Sequence, residues 1–403
     1  MIRLRRKINK LVNFILDDIS KKIGFNIRHL IAYIISKLYS NKIDENLLIF
    51  GSTSGKAFLG NSKYLFLYLN QNSKYNCIWI TSSTKVLKHL RDKNYNVILN
   101  RDLFKTIKAL KAAKYIFVTH GFGDILMIDF SPKTKLIRLD HGITLKRLRS
   151  FTSDSNLSFF KRKMRQKLVQ STSFYVITSE EDKKTKKLSF PLPNNKYIDT
   201  GYPRNDILIN FTREQYLDIK NSLGLTEGYE VILYAPTHRR YEHKNPLNKR
   251  FCEKLDELLI NEKKILLYKP HPVEDQIDLS LYNNIKSVNP KVDIMDLLVI
   301  SDILITDYSS VFFDFLVTMR PIIFFSYDLE KYLMMRGTYF DYETFVPGPI
   351  VRTGDELLSK LKNINHWASQ YERERKRMRE WLNKYSDGNS SKKLIKFLKL
   401  KLN

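Results

Sequence analysis

The sequence predicts an α/β protein in which two domains, each with a parallel β-sheet, face each other across a cleft. From residue 43 onward, short apolar runs of strand length alternate with charged stretches of helical length. Continuous apolar strands separated by helices are typical of parallel sheets that are covered on both faces. The chain has 403 residues and 43% hydrophobic content, whereas a single core stops growing at roughly 250 to 300 residues. We therefore expect two domains rather than one.

Two series of apolar runs are expected to form the two sheets. The first series comprises LLIFG (47–51), CIWIT (77–81), NVIL (96–99), YIFVTH (115–120), KLIRLDHG (135–142) and FYVITS (174–179). After a looser polar stretch, the second series comprises VILYAPTHRR, KILLYKPHP, DILITDYSS and PIIFFSYD. This division predicts an N-terminal domain over 43–205, a C-terminal domain over 206–370 and basic helices over 371–403.

The first 42 residues predict a pair of basic amphipathic helices. They carry ten Lys or Arg residues against Asp17 and Asp18. Arg28 and His29 interrupt the longest apolar run, which leaves it short of the ~18 to 20 residues that span a bilayer. No apolar core is followed by a small-residue cleavage site, which argues against a signal peptide. The helices could lie on an anionic membrane surface, or they could form a helical cap on the first domain.

The chain is strongly basic, with 69 Lys and Arg residues, 42 Asp and Glu residues and a formal net charge of +27. Such a charge favours nucleic acid, an anionic membrane or phosphorylated substrates as partners. Nucleic acid is the weakest of these interpretations, because the cations are not interleaved with aromatic residues as on a single-strand platform. Cys77 and Cys252 are far apart, which argues against a disulfide framework and favours a reducing, cytoplasmic setting.

Polar side chains end three strands of the second series, and ligands of open parallel sheets bind beyond these carboxyl ends. They are His238 and Arg239 after the first run, Lys269 and His271 after the second, and Thr306, Asp307, Ser309 and Ser310 after the third. A helix that begins after Ser310 would present free N–H groups to phosphate, and Asp314 would lie within reach of a sugar hydroxyl. Each segment alone could be a capped helix, a rigid turn or a basic edge. Together they predict a site for a nucleotide diphosphate.

The sequence requires neither a metal ion nor another cofactor. It contains no Asp-any-Asp triplet and no His pair at the spacing of helical metal ligands, which are common sources of such sites. GSTSGKAFLG (51–60) follows the first strand, but it lacks the Gly-Lys-Ser/Thr order of a phosphate-binding loop. We interpret it as a loop over the cleft.

Several segments carry a family resemblance: HGITLKRL, ILYAPTHRR, KPHP, SDILITDYSSVFFDFL, RPIIFFSYDLEKY, RGTYFDYETFVPGPIV and KYSDGNSSKK. In this order they resemble the CDP-glycerol glycerophosphotransferase family, the teichoic-acid primases and polymerases, over roughly residues 45–395. The resemblance implies the GT-B architecture of two facing Rossmann-like domains, with the acceptor on the first and the donor on the second. It also implies peripheral attachment to the inner face of a bacterial membrane, where acceptors are lipid-linked.

The resemblance assigns roles to individual residues. His141 matches the histidine of the family's His-Gly-Thr-Pro-Leu-Lys motif, which implies a general base that takes a proton from the acceptor hydroxyl. The oxygen would then attack the glycerol-bearing phosphorus of CDP-glycerol, and CMP would leave. Donor contacts are expected from His238, Arg239, Lys269, His271, Thr306, Asp307, Ser309 and Ser310, with Asp314 at the cytidine ribose. Lys146 and Arg147 are expected to contact the anionic acceptor.

The chain departs from the family pattern at two places. Ile143 and Thr144 stand where Thr-Pro is usual, which leaves the acceptor open, and His238 stands where relatives often carry an aromatic residue. CDP-ribitol, another CDP-polyol or a sugar nucleotide remain alternative donors, and a nucleic-acid-binding protein or a non-catalytic scaffold remains a different class. His120, in a second His-Gly pair, is interpreted as a strand-end residue rather than as part of the acceptor groove.

Overall fold

The computed structural model describes residues 25–39, 42–145, 159–239, 241, 246–271 and 277–403. Most of the segment 1–42, for which amphipathic helices are predicted, therefore lies outside the described residues. Within the described ranges the chain forms two parallel β-sheets, one after the other in sequence. The predicted α/β class with two consecutive parallel sheets is confirmed.

The first sheet has seven strands in the order β3-β2-β1-β4-β5-β6-β7, and each pairing is parallel. These strands are β1 (Asp44–Gly51), β2 (Asn76–Thr81), β3 (Asn96–Leu99), β4 (Ala113–Val118), β5 (Lys135–Arg138), β6 (Thr172–Val176) and β7 (Tyr197–Ile198). The accompanying helices are α1 (Phe25–Ser36), α2 (Gly60–Asn72), α3 (Thr84–Asp92), α4 (Leu103–Ala112), α5 (Phe159–Ser171) and α6 (Glu180–Ser189).

The second sheet has six strands in the order β10-β9-β8-β11-β12-β13, again all parallel. These strands are β8 (Glu230–Tyr234), β9 (Lys264–Tyr268), β10 (Ile285–Ser287), β11 (Ile303–Thr306), β12 (Ile322–Phe325) and β13 (Ile350–Val351). Helices α7 (Asp206–Asn210) and α8 (Arg213–Ser222) precede this sheet. They are followed by α9 (Lys249–Asn261), α10 (Ile294–Ile300), α11 (Val311–Phe315), α12 (Leu329–Met335), α13 (Tyr342–Phe345), α14 (Gly354–Lys362) and α15 (Ile364–Gln370).

The central strands are apolar on both faces, and burial explains why. Every residue of β9, β11 and β12 is buried, as parallel strands covered by helices on both sides require. In the first sheet, Phe50 stacks on Phe117 at 4.8 Å between ring centroids and meets Phe66 of α2 edge-on at 5.4 Å. Strands β7, β10 and β13 are not among the predicted runs, because two or three residues at a sheet edge carry too little periodicity.

The last helices, α16 (Glu372–Leu382) and α17 (Ser390–Phe397), return to the first half of the chain. The Thr178 hydroxyl donates to the Leu382 carbonyl at 2.7 Å, and the Tyr385 N–H donates to the Thr178 carbonyl at 2.9 Å. The Asp206 carboxylate accepts from the N–H groups at the start of α17, both at 2.8 Å. The chain's end therefore ties its two halves together.

Helix α1 packs against the first half through one face. The Met127 N–H donates to Nδ1 of His29 at 2.9 Å, and the Asp129 N–H donates to the Ser36 hydroxyl at 2.8 Å. Burial lowers the pKa of His29 to about 4, so the ring is neutral and accepts this hydrogen bond. None of the helices in the described ranges is both long and apolar enough to cross a bilayer.

Candidate functional site

The candidate site lies at the carboxyl ends of strands in both sheets. The strand order reverses between β1 and β4 in the first sheet and between β8 and β11 in the second. Ligands of open α/β sheets bind at such switch points. His120 follows β4 and His141 follows β5, while Arg239 follows β8 and Asp307 follows β11. The predicted site residues of each half are thus collected at one edge of their sheet.

His141 is presented to solvent at the end of β5. Its side chain is 61% exposed, and Nδ1 lies 2.7 Å from Oδ1 of Asp140. The imidazole stacks on that of His120 with 4.8 Å between centroids and 13° between ring planes. His120 therefore covers one face of the ring and Asp140 contacts Nδ1, which leaves Nε2 available to a substrate.

Asp140 fixes the position of His141. Its backbone has a φ of +57°, a left-handed conformation that Asp adopts more readily than most residues. The carboxylate accepts from the His141 N–H at 2.6 Å and from the Tyr175 hydroxyl at 2.6 Å. Burial alone would raise the pKa of Asp140, but the adjacent His141 and Lys186 hold it well below its usual value. The lowered pKa favours the carboxylate form of Asp140 beside the imidazole.

His120 has a structural contact and also borders the candidate site. Its Nδ1 lies 2.8 Å from the Thr119 hydroxyl, and the buried Asp124 accepts from the N–H groups of both Thr119 and His120 at 2.8 and 2.7 Å. Burial lowers the pKa of His120, which favours the neutral ring beside His141. The interpretation of His120 as a strand-end residue agrees with these hydrogen bonds, but it did not include the stacking of the His120 ring on His141.

A buried ion pair connects the two halves beneath the His-Gly turn. Arg204 donates from Nε and Nη2 to the two oxygens of Asp314 at 3.1 and 2.6 Å. A Cβ atom on Gly142, whose φ is +137°, would approach Arg204 Nη2 to 2.6 Å, so only glycine fits there. Asn61 links the same elements, because it donates to the Leu139 and Asp140 carbonyls and accepts from the Arg204 N–H. The predicted contact of Asp314 with ribose stays a prediction, since this carboxylate is engaged by Arg204.

Arg239 is enclosed at the switch point of the second sheet. Its Nη1 lies 2.8 Å from Oδ2 of Asp307, and Nε and Nη2 donate to the Asp328 carboxylate at 2.8 and 2.9 Å. The guanidinium also lies 4.9 Å from the ring centroid of Tyr308 and 5.5 Å from that of Tyr332. Burial disfavours its charge, but Asp307 and Asp328 raise the pKa of Arg239. Its side chain has no exposed surface, so direct contact with a donor phosphate stays a prediction.

Asp307 and Thr306 join the strand ends to one another. Asp307 accepts from the Thr237 N–H at 2.8 Å, and the Thr306 hydroxyl donates to the Ala235 carbonyl at 2.7 Å. Both predicted residues are fully buried. Their contacts hold the end of β8 against that of β11, which sets the geometry of the loops that follow.

His238 and His271 meet at the same edge, as the sequence predicts. Their rings stack with 5.0 Å between centroids and 24° between planes. His271 is exposed and His238 half-buried. Lys269, one strand end away, donates to the Pro290 and Val292 carbonyls at 3.0 and 2.9 Å, and burial lowers its pKa. The two imidazoles thus lie together at this edge, whereas the Lys269 ammonium is engaged by two backbone carbonyls.

Ser309 and Ser310 precede α11 as predicted, and both are half-buried. Ser310 is the N-cap residue but makes no side-chain capping hydrogen bond. The Ser309 hydroxyl accepts from the Val311 N–H at 3.4 Å, a long contact for a hydrogen bond. The two hydroxyls are thus weakly committed within the protein and are suited to a donor phosphate.

Lys146 and Arg147 lie outside the described residues, so their predicted acceptor contacts remain predictions. Within the described ranges, His, Cys, Asp and Glu side chains nowhere form a group of three or more that could hold a metal ion. Four residues that sequence reasoning did not single out contribute to the site: Asp140, Tyr175, Arg204 and Asp328.

Comparison with known proteins supplies a family for this arrangement. A profile of the family described as CDP-Glycerol:Poly(glycerophosphate) glycerophosphotransferase matches residues 33–400. A teichoic acid glycerol-phosphate transferase of Staphylococcus aureus is 33% identical over 357 residues, covering 84% of this chain and 89% of that protein. A teichoic acid poly(glycerol phosphate) polymerase of Bacillus spizizenii is 33% identical over 339 residues, covering 80% and 85%.

A solved structure shares the fold. The wall teichoic acid polymerase TagF superposes with a TM-score of 0.79 at 22% identity, covering 98% of this chain and 97% of that chain. The match extends over both parallel sheets and the returning helices. The predicted GT-B architecture is confirmed.

Proposed function

Because this chain belongs to the CDP-Glycerol:Poly(glycerophosphate) glycerophosphotransferase family, and is therefore a glycerol-phosphate transferase of teichoic-acid synthesis, we propose that His141 is its general base. The observation that carries this proposal is the 2.7 Å contact between His141 Nδ1 and the buried Asp140. A carboxylate at Nδ1 keeps the proton on that nitrogen and orients Nε2 as the proton acceptor. The exposure of the ring allows an acceptor hydroxyl to reach it.

In the proposed reaction, the acceptor hydroxyl gives its proton to Nε2 of His141 while its oxygen bonds to the glycerol-bearing phosphorus of CDP-glycerol. The bond from that phosphorus to the bridging oxygen breaks, and this oxygen leaves with CMP. Such a transfer depends on positioning and charge stabilisation more than on covalent chemistry by the protein. We assign direct donor contacts to the accessible groups at the second sheet, namely His238, His271, Ser309 and Ser310. Arg239, Asp307 and Thr306 position these groups from behind.

Transfer of glycerol phosphate is tested by incubating the purified protein with CDP-glycerol and a lipid-linked or synthetic acceptor. We expect release of CMP together with growth of the acceptor by glycerol-phosphate units. CDP-ribitol and other CDP-polyols serve as parallel donors, and faster turnover with one of them would change the donor but not the reaction class. Absence of CMP with every CDP donor, from protein that is folded by circular dichroism, would exclude the proposed reaction.

We further propose that the protein binds the inner face of the membrane through helix α1. While one face of α1 packs on the first half, Ile27, Leu30 and Ile34 on the other face are 38%, 42% and 55% exposed. Their spacing of three and four residues aligns them along the helix, and Leu38 beyond its end is 83% exposed. An apolar ridge on a chain with a net charge of +27 suits the interface of an anionic bilayer.

Replacing both Ile34 and Leu38 with glutamine is expected to weaken binding to anionic vesicles by roughly tenfold or more, because two large apolar side chains no longer enter the interface. Vesicle co-sedimentation measures this change. Leu281→Gln is the matched control, since Leu281 is 84% exposed in the second half. Equal binding by the double variant and the control would support the alternative, that α1 is only a cap on the first sheet.

A further inference from the structure

A pocket of about 310 Å³ opens directly beside His141, on the side of the first sheet. It lies between the ends of β5 and β6 and helices α5 and α6. Its lining includes Arg138, Arg165, Tyr175, Lys186 and Ser189, together with the imidazole of His141 itself. A group bound in this pocket would therefore lie only a few bonds from an acceptor hydroxyl that contacts His141.

The cations of the pocket differ in how far acidic groups engage them. Lys186 is paired with the buried Asp182 at 2.5 Å and lies 3.6 Å from Asp140. Asp140 is in turn engaged by His141. Arg138 also lies on the lining, and the ion pairs of the described residues include no carboxylate partner for it. The pocket is thus suited to an anion.

Arg138 shows that this suitability is built into the fold. The residue is 8% exposed, and its guanidinium packs on the rings of Phe190 and Tyr175 at 4.2 and 4.8 Å from the centroids. Its Nε is buried and has no hydrogen-bond partner among the described residues. Burying a cationic donor without a partner costs free energy, and a ligand oxygen would remove that cost.

The shape and chemistry of these donors favour phosphate. A guanidinium offers several N–H donors in one plane, which match the oxygens of a phosphate ester. Arg165 reaches the same pocket from α5 and is anchored there by donating to the Ser189 carbonyl at 2.9 Å. A volume of about 310 Å³ admits one phosphate group with a short polyol.

We propose that this pocket binds the phosphate group next to the attacking hydroxyl of the acceptor, with Arg138 and Arg165 as its ligands. The proposal rests on the function proposed for His141 and adds the residues that would recognise the acceptor, a polyol whose hydroxyl is carried a few bonds from a phosphate ester. In poly(glycerophosphate) the terminal glycerol has this form. The product of one transfer would then present the same group for the next.

The test compares two soluble acceptors, glycerol phosphate and glycerol, which differ in the phosphate alone. In Arg165→Gln and Arg138→Lys, KM for glycerol phosphate is expected to rise by roughly 10- to 100-fold, the value of one charge-assisted hydrogen bond. KM for CDP-glycerol and turnover with glycerol should change little. Arg162→Gln, an exposed cation on the same helix, is the matched control.

Equal effects on both acceptors, or no effect on either, would overturn the proposal. If Arg138→Lys does not fold, Arg165→Gln decides alone, because Arg165 is only half-buried. Binding of glycerol phosphate measured by calorimetry separates this proposal from the proposed function. In one outcome the wild type binds glycerol phosphate and Arg165→Gln fails to bind it, while the wild type releases no CMP. This outcome would support the pocket proposal and reject the proposed reaction. Release of CMP by the wild type, with a preference for glycerol phosphate over glycerol that Arg165→Gln leaves unchanged, would support the reaction and reject the pocket proposal.

Discussion

Replacing His141 with alanine is expected to lower kcat by about 10²- to 10⁴-fold, the range that a positioned general base contributes. The affinity for CDP-glycerol should stay close to that of the wild type, because the donor contacts are assigned to the second sheet. Stability should also change little, since the side chain is 61% exposed. Steady-state release of CMP gives kcat, and calorimetry gives the donor affinity.

The control for this variant is His366→Ala, which removes an exposed histidine from α15 and should leave kcat unchanged. A large loss of donor binding in His141→Ala would place the residue in the donor site instead. A kcat within a few-fold of the wild type would remove His141 from the reaction altogether.

Asp140→Asn extends the same prediction to the residue that orients the base. The amide can no longer fix the proton on Nδ1, so kcat is expected to fall by roughly tenfold or more even though the imidazole remains. The folded-state pKa of Asp140 lies below its unfolded value, so the unfolded state binds the proton more readily. Its contribution to stability is therefore present at neutral pH and is lost as the pH falls below about 4.

Measuring the free energy of unfolding against pH separates these two consequences. Wild-type protein should lose stability more steeply than Asp140→Asn as the medium becomes acidic, whereas the two curves should run parallel above neutral pH. Parallel curves at all pH values would show that the pKa of Asp140 is the same in the folded and unfolded states.

Strand-length apolar runs were enough to predict the two sheets, because parallel strands are apolar on both faces and therefore stand out in the sequence. The same parallel geometry predicted that His238, His271 and Ser309 would lie at one edge. Both inferences depend on local pattern and on a general rule about strand direction. They required no knowledge of which residues pair across the fold.

The buried ion pairs could not be predicted from the sequence, because the two partners of each pair lie far apart along the chain. Arg204 and Asp314 are 110 residues apart, and Arg239 and Asp328 are separated by 89, so no local spacing indicates either contact. A cation at a strand end has the same appearance in the sequence whether it binds phosphate or a buried carboxylate. Asp140 differs from these residues, since it directly precedes His141 in LDHG, and this adjacency was a local signal that the sequence-based prediction did not use.

Arg239→Ala is expected to destabilise the protein by about 3–5 kcal/mol, the cost of breaking a buried ion pair by removing one partner. The substitution leaves Asp307 and Asp328 without their cation, and Asp307 has no exposed surface. It also removes the guanidinium that lies 4.9 and 5.5 Å from the ring centroids of Tyr308 and Tyr332. Urea denaturation measures the free energy of unfolding, and the loss should be larger than any change in donor affinity of the variant that remains folded.

Two further variants, Arg239→Lys and His271→Ala, distinguish a structural role of Arg239 from a role in donor binding. Lysine keeps the charge but cannot bridge two carboxylates with a planar fork, so its stability should lie between those of wild type and Arg239→Ala, and it replaces the alanine variant if that one does not fold. His271→Ala, at an exposed position on the same sheet edge, should stay within about 0.5 kcal/mol of wild type and raise KM for CDP-glycerol. An Arg239→Ala protein of normal stability with weakened donor binding would show the reverse pattern. Arg239 would then be a phosphate ligand, because the stability of the protein would not depend on its ion pairs with Asp307 and Asp328.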